Sequence, residues 1–304
     1  MRYIFVSDIH GEYDKLIEEL TYKHVQIARD TIVFLGDCFD RGVQNQKLLD
    51  FIDRLPNKII ILGNHDLVLY TMLEQASRGE EVYHTTNDIH NGTIQTLFNL
   101  AGYEGTCPYN VSMFHFGTSD EHLAECFPTP LARKALARNG DKLRRYFDNA
   151  VYAVSFGDEI FAAHGWFPPR LETTSREWWL ATWSNTPEEY DKLKRRGVAP
   201  ADKLLVGHWH ACDMRCRETQ EGKLQAYFNN TRFISYYKNN AARGQVIFLD
   251  GCTNITAGRV NAYSYYSETP PQVYNAVDGN FTFAEKLSHA VDSASYSLIY
   301  HSEK

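Results

Sequence analysis

The chain has 304 residues and a formal net charge of -7, and so acidic a total weighs against general nucleic-acid binding. With 43% hydrophobic and 23% charged residues, it reads as a water-soluble globular protein, and no apolar run approaches the roughly 18 residues a membrane helix needs. Residues 1–304 are read as one domain with a sizeable core. The opening MRYIFVSDIH is strand-like and lacks an apolar leader, so the expected setting is the cytoplasm. Cys38, Cys107, Cys126, Cys212, Cys216 and Cys252 form no C-x-x-C pair and read as reduced thiols. Cys212 and Cys216, four apart, are too sparse a set for a zinc site.

In chain order, the apolar run from Tyr3 to Ser7 ends in Asp8-Ile9-His10-Gly11, and Leu16, Ile17 and Leu20 then give helical spacing over 13–22. Thr31 to Leu35 is a second strand. It runs into Gly36-Asp37-Cys38-Phe39-Asp40-Arg41-Gly42, and Leu48, Leu49, Ile52 and Leu55 mark a helix over 46–55, stopped by Pro56. Ile59 to Leu62 is a third strand, ending in a tight turn at Gly63-Asn64-His65-Asp66. The β-α-β-α-β order implies parallel strands with right-handed crossovers. Three such strands deliver carboxylates, an amide and imidazoles to one edge, where open parallel sheets bind ligands. Asn64 can offer a carbonyl oxygen to a metal and His65 can move a proton, although the Asn-His-Asp turn by itself is equally a hydrogen-bonded loop.

Leu67 to Gln75 reads as helix. Residues 77–93, with His84, Asp88 and His90, read as a solvated loop, with metal or substrate binding as the alternative. Leu123 to Tyr146 is a helix whose basic cluster (Arg133, Lys134, Arg138, Lys142, Arg144, Arg145) forms a solvated face. Residues 70–148 together make a helical insertion over the site. Val151 to Phe156 and Glu159 to Ala163 are two strands joined by Gly157-Asp158, and the second ends in His164-Gly165. Lys203 to Val206 leads to Gly207-His208-Trp209-His210, where two imidazoles one residue apart can face a pair of metals. The tail from Thr269 carries no interpretable motif.

Asp8-x-His10-Gly11, Gly36-Asp37-x-x-Asp40-Arg41-Gly42, Gly63-Asn64-His65-Asp66 and Gly207-His208-x-His210 resemble the signature of the calcineurin-like metallophosphoesterases, particularly the phosphoprotein (Ser/Thr) phosphatase branch. The resemblance covers residues 1–66 closely and 150–266 in part, including late strands over 245–250 and 258–266. It implies an α/β fold, a four-layer αββα sandwich of two mixed β-sheets with flanking helices. It also implies two divalent ions, with Asp37 bridging them, Asp8, His10 and His210 on the first, and Asn64, His164 and His208 on the second. Manganese is the first choice, and iron or zinc suit the same donors.

On this resemblance a water made acidic between the ions attacks phosphorus in line. His65 is the general acid, Asp40 orients it, and Arg41 grips the phosphate with Asn64 nearby. Arg196, beside Arg195, resembles a second phosphate-binding arginine, although a basic helix end explains it equally. The implied substrate is phosphoserine, phosphothreonine or phosphotyrosine in protein. The rivals are nucleotide substrates, either symmetrical dinucleoside polyphosphates or phosphate ends of nucleic acid, and, remotely, an inactive metal-dependent binding module. Asp66 stands where the phosphoprotein phosphatases have glutamate, His210 is a histidine they generally lack, and Trp183-Ser184-Asn185 has Asn in place of their Asp. These departures loosen the tie to that branch.

Overall fold

Side chains alternate across a strand, so an unbroken apolar strand must be covered on both faces. In the computed structural model, which describes residues 1–84, 88, 91–108, 127–184, 193, 196–197, 199–210, 234–236, 245–251, 253 and 258–278, two mixed sheets meet this demand by stacking face to face. The first has the order β10 (Ala262–Tyr266), β1 (Arg2–Val6), β2 (Thr31–Leu35), β3 (Lys58–Ile61) and β4 (Ala150–Val151), all parallel except β10. The second has the order β11 (Gln272–Tyr274), β5 (Ala153–Phe156), β6 (Ile160–Ala163), β7 (Lys203–Val206), β9 (Gln245–Phe248) and β8 (Ile234–Tyr236). Its central β6, β7 and β9 are parallel. Tyr3 and Phe5 of β1 pack between the sheets with Phe156 and Leu205, whereas Ile4 and Val6 join the outer core with the helices.

The helices are α1 (Tyr13–Tyr22), α2 (Asn45–Arg54), α3 (Asn64–Ser77), α4 (Thr93–Leu100), α5 (Pro128–Asp148) and α6 (Ser175–Thr182). Pro128 sits at the start of α5, where its missing N–H costs nothing and its fixed φ suits a helix. Of the basic cluster on α5, Arg133, Lys134, Arg138, Arg144 and Arg145 are exposed, as a solvated face requires. Arg145 and Lys142 reach back to Asp53 and Asp50 of α2 at 2.8 and 2.5 Å.

Two local expectations need correction. The strand expected over 151–156 is divided at Tyr152, with β4 in the first sheet and β5 in the second. Strict alternation would put Val151 with Ala153, yet Val151 shares the inter-sheet face with Val154, while Tyr152 turns out to stack on Trp178 at 5.4 Å. Asn64-His65-Asp66 is not a free turn but the first turn of α3, because the Asp66 carboxylate accepts the Gly63 N–H at 3.0 Å and closes the helix start. This helix runs on to Ser77, and the segment between α3 and α5 contains the buried α4. His90, Asn185, Arg195, Cys126, Cys212, Cys216, Cys252 and the tail beyond residue 278 lie outside the described residues. No helix among the described residues is long and apolar enough to cross a membrane.

Candidate functional site

The carboxyl ends of β1, β2 and β3 open into Ser7–Gly11, Gly36–Gly42 and Leu62–Asn64, and those of β6, β7 and β9 into His164, Gly207–His210 and Asp250. Backbone bonds tie the turns together: His10 N–H to the Asp37 carbonyl at 3.0 Å, Gly42 N–H to His10 at 2.9 Å, and Gly207 N–H to His164 at 2.7 Å. Among the described residues, seven non-glycine positions have positive φ, and six of them are Asp8, His10, Asp37, Asp40, Arg41 and His208. Each such position costs about 1–3 kcal/mol and persists only where surrounding bonds over-determine it. The strain is concentrated at the residues singled out by sequence.

Two of the rings are held by their far nitrogens: His10 Nδ1–H donates to the Phe39 carbonyl at 3.0 Å and His164 Nδ1–H to the Leu35 carbonyl at 2.7 Å, which turns both Nε2 atoms inward. His164 Nε2 lies 3.3 Å from Asp37 Oδ2 and 2.9 Å from Asn64 Oδ1. His10 Nε2 lies 3.9 Å from Asp8 Oδ1 and 4.0 Å from Asp37 Oδ2. Two groups of ligand atoms emerge, His10–Asp37–His65 and Asp37–His164–His208, with Asp37 in both. Asp8 takes a hydrogen bond from Ser7 and another from His208 N–H at 3.0 Å. His210 is set slightly apart, 3.5 Å from the buried Asp250. Arg196 is an exposed turn residue, and no bond among the described residues ties it to this cluster. His84 and Asp88 belong to neither ligand group.

The electrostatics fit a cation. Burial raises the Asp8 carboxyl well above its ordinary range, and the negative Asp250 and Asp37 raise it further. Burial also opposes ionisation of Asp37, but the imidazoles of His164, His65 and His10 hold it well below the usual carboxylate range. Burial disfavours a charged His164, yet the Asp37 carboxylate overcomes that and pushes it up to about 10. His208 is driven down to about 3 by burial and then by its neighbour His164. Nitrogen and oxygen donors converging around one shared carboxylate, with Asp8 and Asp250 buried nearby, suit divalent metal ions of the manganese, iron or zinc type better than all-oxygen calcium. A cation held by His164 would displace the proton on that ring, so adding manganese to chelator-treated protein in weak buffer at pH 7.5 should release protons, measurable by pH-stat.

His65 stands differently. Its Nδ1–H donates to Asp40 Oδ2 at 2.7 Å, its Nε2 faces Arg41 Nη2 at 3.4 Å, and Asp37 Oδ2 is 3.8 Å away. The guanidinium beside Nε2 disfavours a second positive charge on that nitrogen, whether a metal ion or a proton. Burial lowers the His65 pKa, but Asp37 and Asp40 together raise it above the ordinary histidine value.

Sequence reading missed the supports. Asp66 Oδ2 accepts both Asp37 N–H at 2.8 Å and Gly63 N–H at 3.0 Å, and Tyr146 of α5 donates to its other oxygen at 3.1 Å. Thr93 and Thr96 of α4 bond Asp40. Gly63 is required by close approach, since a Cβ there would lie 2.1 Å from Asp37 Oδ1. Gly63→Ala should therefore cost about 1–3 kcal/mol in urea unfolding and lower metal content in the same preparation.

The family model for calcineurin-like phosphoesterases matches residues 1–229. A symmetrical bis(5'-nucleosyl)-tetraphosphatase from Baumannia cicadellinicola subsp. Homalodisca coagulata is 34% identical over 101 residues, which is 33% of this chain and 35% of that protein. The chain thus matches about a third of the length of such curated relatives. Among solved structures, a putative diadenosine tetraphosphatase is 16% identical with a TM-score of 0.44, covering 91% of this chain and 95% of that one. A protein serine/threonine phosphatase from Saccharomyces cerevisiae is 12% identical with a TM-score of 0.40, covering 90% and 82%.

Proposed function

The chain belongs to the calcineurin-like phosphoesterase family, and from that premise we propose that it is a phosphoric-ester hydrolase of the cytoplasm, using two divalent cations, manganese first, on phosphomonoesters of protein serine, threonine or tyrosine. The observation that carries this reading is the single carboxylate, Asp37, shared by two groups of potential ligands. Asp8, His10, Asp37 and His210 would hold one ion, and Asp37, Asn64, His164 and His208 the other. When bound, such a pair supplies Lewis acidity at the phosphoryl oxygens and lowers the pKa of water.

The chain's own residues do the rest. Arg41, at the lip of the cluster, presents a planar fork of donors to two phosphoryl oxygens, with the Asn64 amide beside them. The leaving oxygen departs with a proton from His65 Nε2, and Asp40 at 2.7 Å holds the ring by Nδ1 and stabilises its charged form. An alkoxide gains most from that proton, which supports serine and threonine esters ahead of polyphosphates, whose phosphate leaving group is a weaker base. A second reading, cleavage of symmetrical dinucleoside tetraphosphates, draws on the activity named for the curated bacterial relative. Arg196 would belong to the substrate side only if loop residues around it approach the cluster.

A panel of a phosphoserine peptide, a phosphotyrosine peptide, diadenosine tetraphosphate and para-nitrophenyl phosphate, each with manganese and with chelator, tests this. Manganese-dependent turnover with the highest kcat/KM on a phosphopeptide supports the first reading. A preference for the tetraphosphate selects the second, and no turnover on any of the four, with less than about one metal bound per chain, sinks both. Arg41→Lys should fold normally, since its backbone is fixed by the turn, but should raise KM and lower kcat for every phosphate substrate about tenfold or more, because a point charge cannot grip two oxygens. Unchanged kinetics would remove Arg41 from the phosphate site.

A further inference from the structure

Asp40 is fully buried, and its carboxylate is satisfied from two directions. Oδ2 accepts from His65 Nδ1–H and from the Thr93 hydroxyl, each at 2.7 Å, and Oδ1 accepts from the Thr96 hydroxyl at 2.8 Å. The Thr96 oxygen in turn accepts the Asp40 N–H at 2.8 Å. One hydroxyl therefore bridges the backbone and the carboxylate of the same residue, and fixes both the left-handed φ of 75° at Asp40 and the plane of its carboxylate. Thr93 and Thr96 are buried, three apart on α4, and so lie on one face of that helix.

The approach of α4 is equally specific. Gly92, at the helix start with φ 89°, lies so close to the peptide of Arg41 that a Cβ would sit 2.3 Å from its nitrogen. The first turn of α4 is thus pressed against Asp40-Arg41, with its two hydroxyls aimed at the carboxylate.

We propose that Thr93 and Thr96 are positioning residues for proton donation by His65, acting through Asp40. With both hydroxyls and the imidazole as donors, Asp40 has one orientation, and that orientation fixes the ring that must deliver its proton to the leaving oxygen. Without the hydroxyls the carboxylate is free to rotate, and a carboxylate with unspent acceptor capacity no longer holds the imidazole in one plane. The inference rests on the reading of His65 as the acid.

The test compares kcat and KM of Thr93→Val and Thr96→Val, which exchange a hydroxyl for a methyl at nearly constant shape, on a phosphoserine peptide and on para-nitrophenyl phosphate. Serine variants at both positions serve as controls. The expected result is a fall in kcat on the phosphopeptide about tenfold greater than on the nitrophenyl ester, with KM little moved, because the acid assists only a basic leaving group in the transition state. Thr93→Ser and Thr96→Ser should restore the ratio. In an Asp40→Asn background the valine changes should add little, as residues acting through a common partner are non-additive.

Equal losses on both substrates, or serine variants no better than valine, overturn the proposal and leave a structural tie between α4 and the turn. If Thr96→Val fails to fold, Thr93→Val, which removes a single bond, decides on the same criteria. His65→Ala in the same assay separates the two levels. A selective loss there without one in the threonine variants refutes only the role of the hydroxyls, whereas equal losses in His65→Ala refute the acid reading and the inference with it.

Discussion

Asp37→Asn is expected to lower turnover by on the order of 10³ or more and to strip much of the bound metal, because one carboxylate serves both ligand groups. A neutral amide is a poor bridge between two cations. It also removes the charge that lifts His164 and His65. The fold should survive, since an amide oxygen can still accept the His65 N–H that Asp37 Oδ1 now accepts at 3.0 Å. Metal analysis, circular dichroism and turnover on one preparation make the measurement. Near wild-type turnover with two metals retained would show that Asp37 does not bridge.

His65→Ala is expected to damage hydrolysis of a phosphoserine peptide by about 10²–10⁴, the usual contribution of a positioned acid, and hydrolysis of para-nitrophenyl phosphate far less, with metal content unchanged. Serine alkoxide is a strong base and needs the proton; nitrophenolate leaves without it. The alternative is concrete here, since His65 shares a group of potential ligand atoms with His10 and Asp37. If it is a ligand, both substrates lose activity together and metal is depleted. The 2.7 Å bond to Asp40, which stabilises the charged ring, argues for the selective outcome.

Much of this site was legible in the sequence because its chemistry is written locally. An apolar run that stops at Asp8, Asp37, Asn64, His164 or His208 announces a strand and the polar turn at its end, and both follow from short-range periodicity and turn chemistry. The helix over 13–22 was equally plain from its apolar spacing. The parallel order of the first strands then requires that their ends share an edge, so the meeting of Asp8, His10, Asp37 and Asn64 follows from the sequence alone.

Only the tertiary structure decided what holds those residues still. TIQTLFNL carries an apolar stripe at Ile94, Leu97 and Phe98, but α4 is buried on every side within the helical layer, so Thr93 and Thr96 look like ordinary solvated polar residues until Asp40 is seen between them. Tyr146 reaches Asp66 across 80 residues of chain, and His164 reaches Leu35 across 129. The break at Tyr152 has the same origin: propensity favours one continuous strand from 151 to 156, but two stacked sheets need a chain that leaves one and enters the other, and the ring of Tyr152 found its cover on Trp178. Ligand identity depends on the side chain itself and is read locally. Orientation depends on which distant donor or ring arrives beside it, and that is settled only by packing.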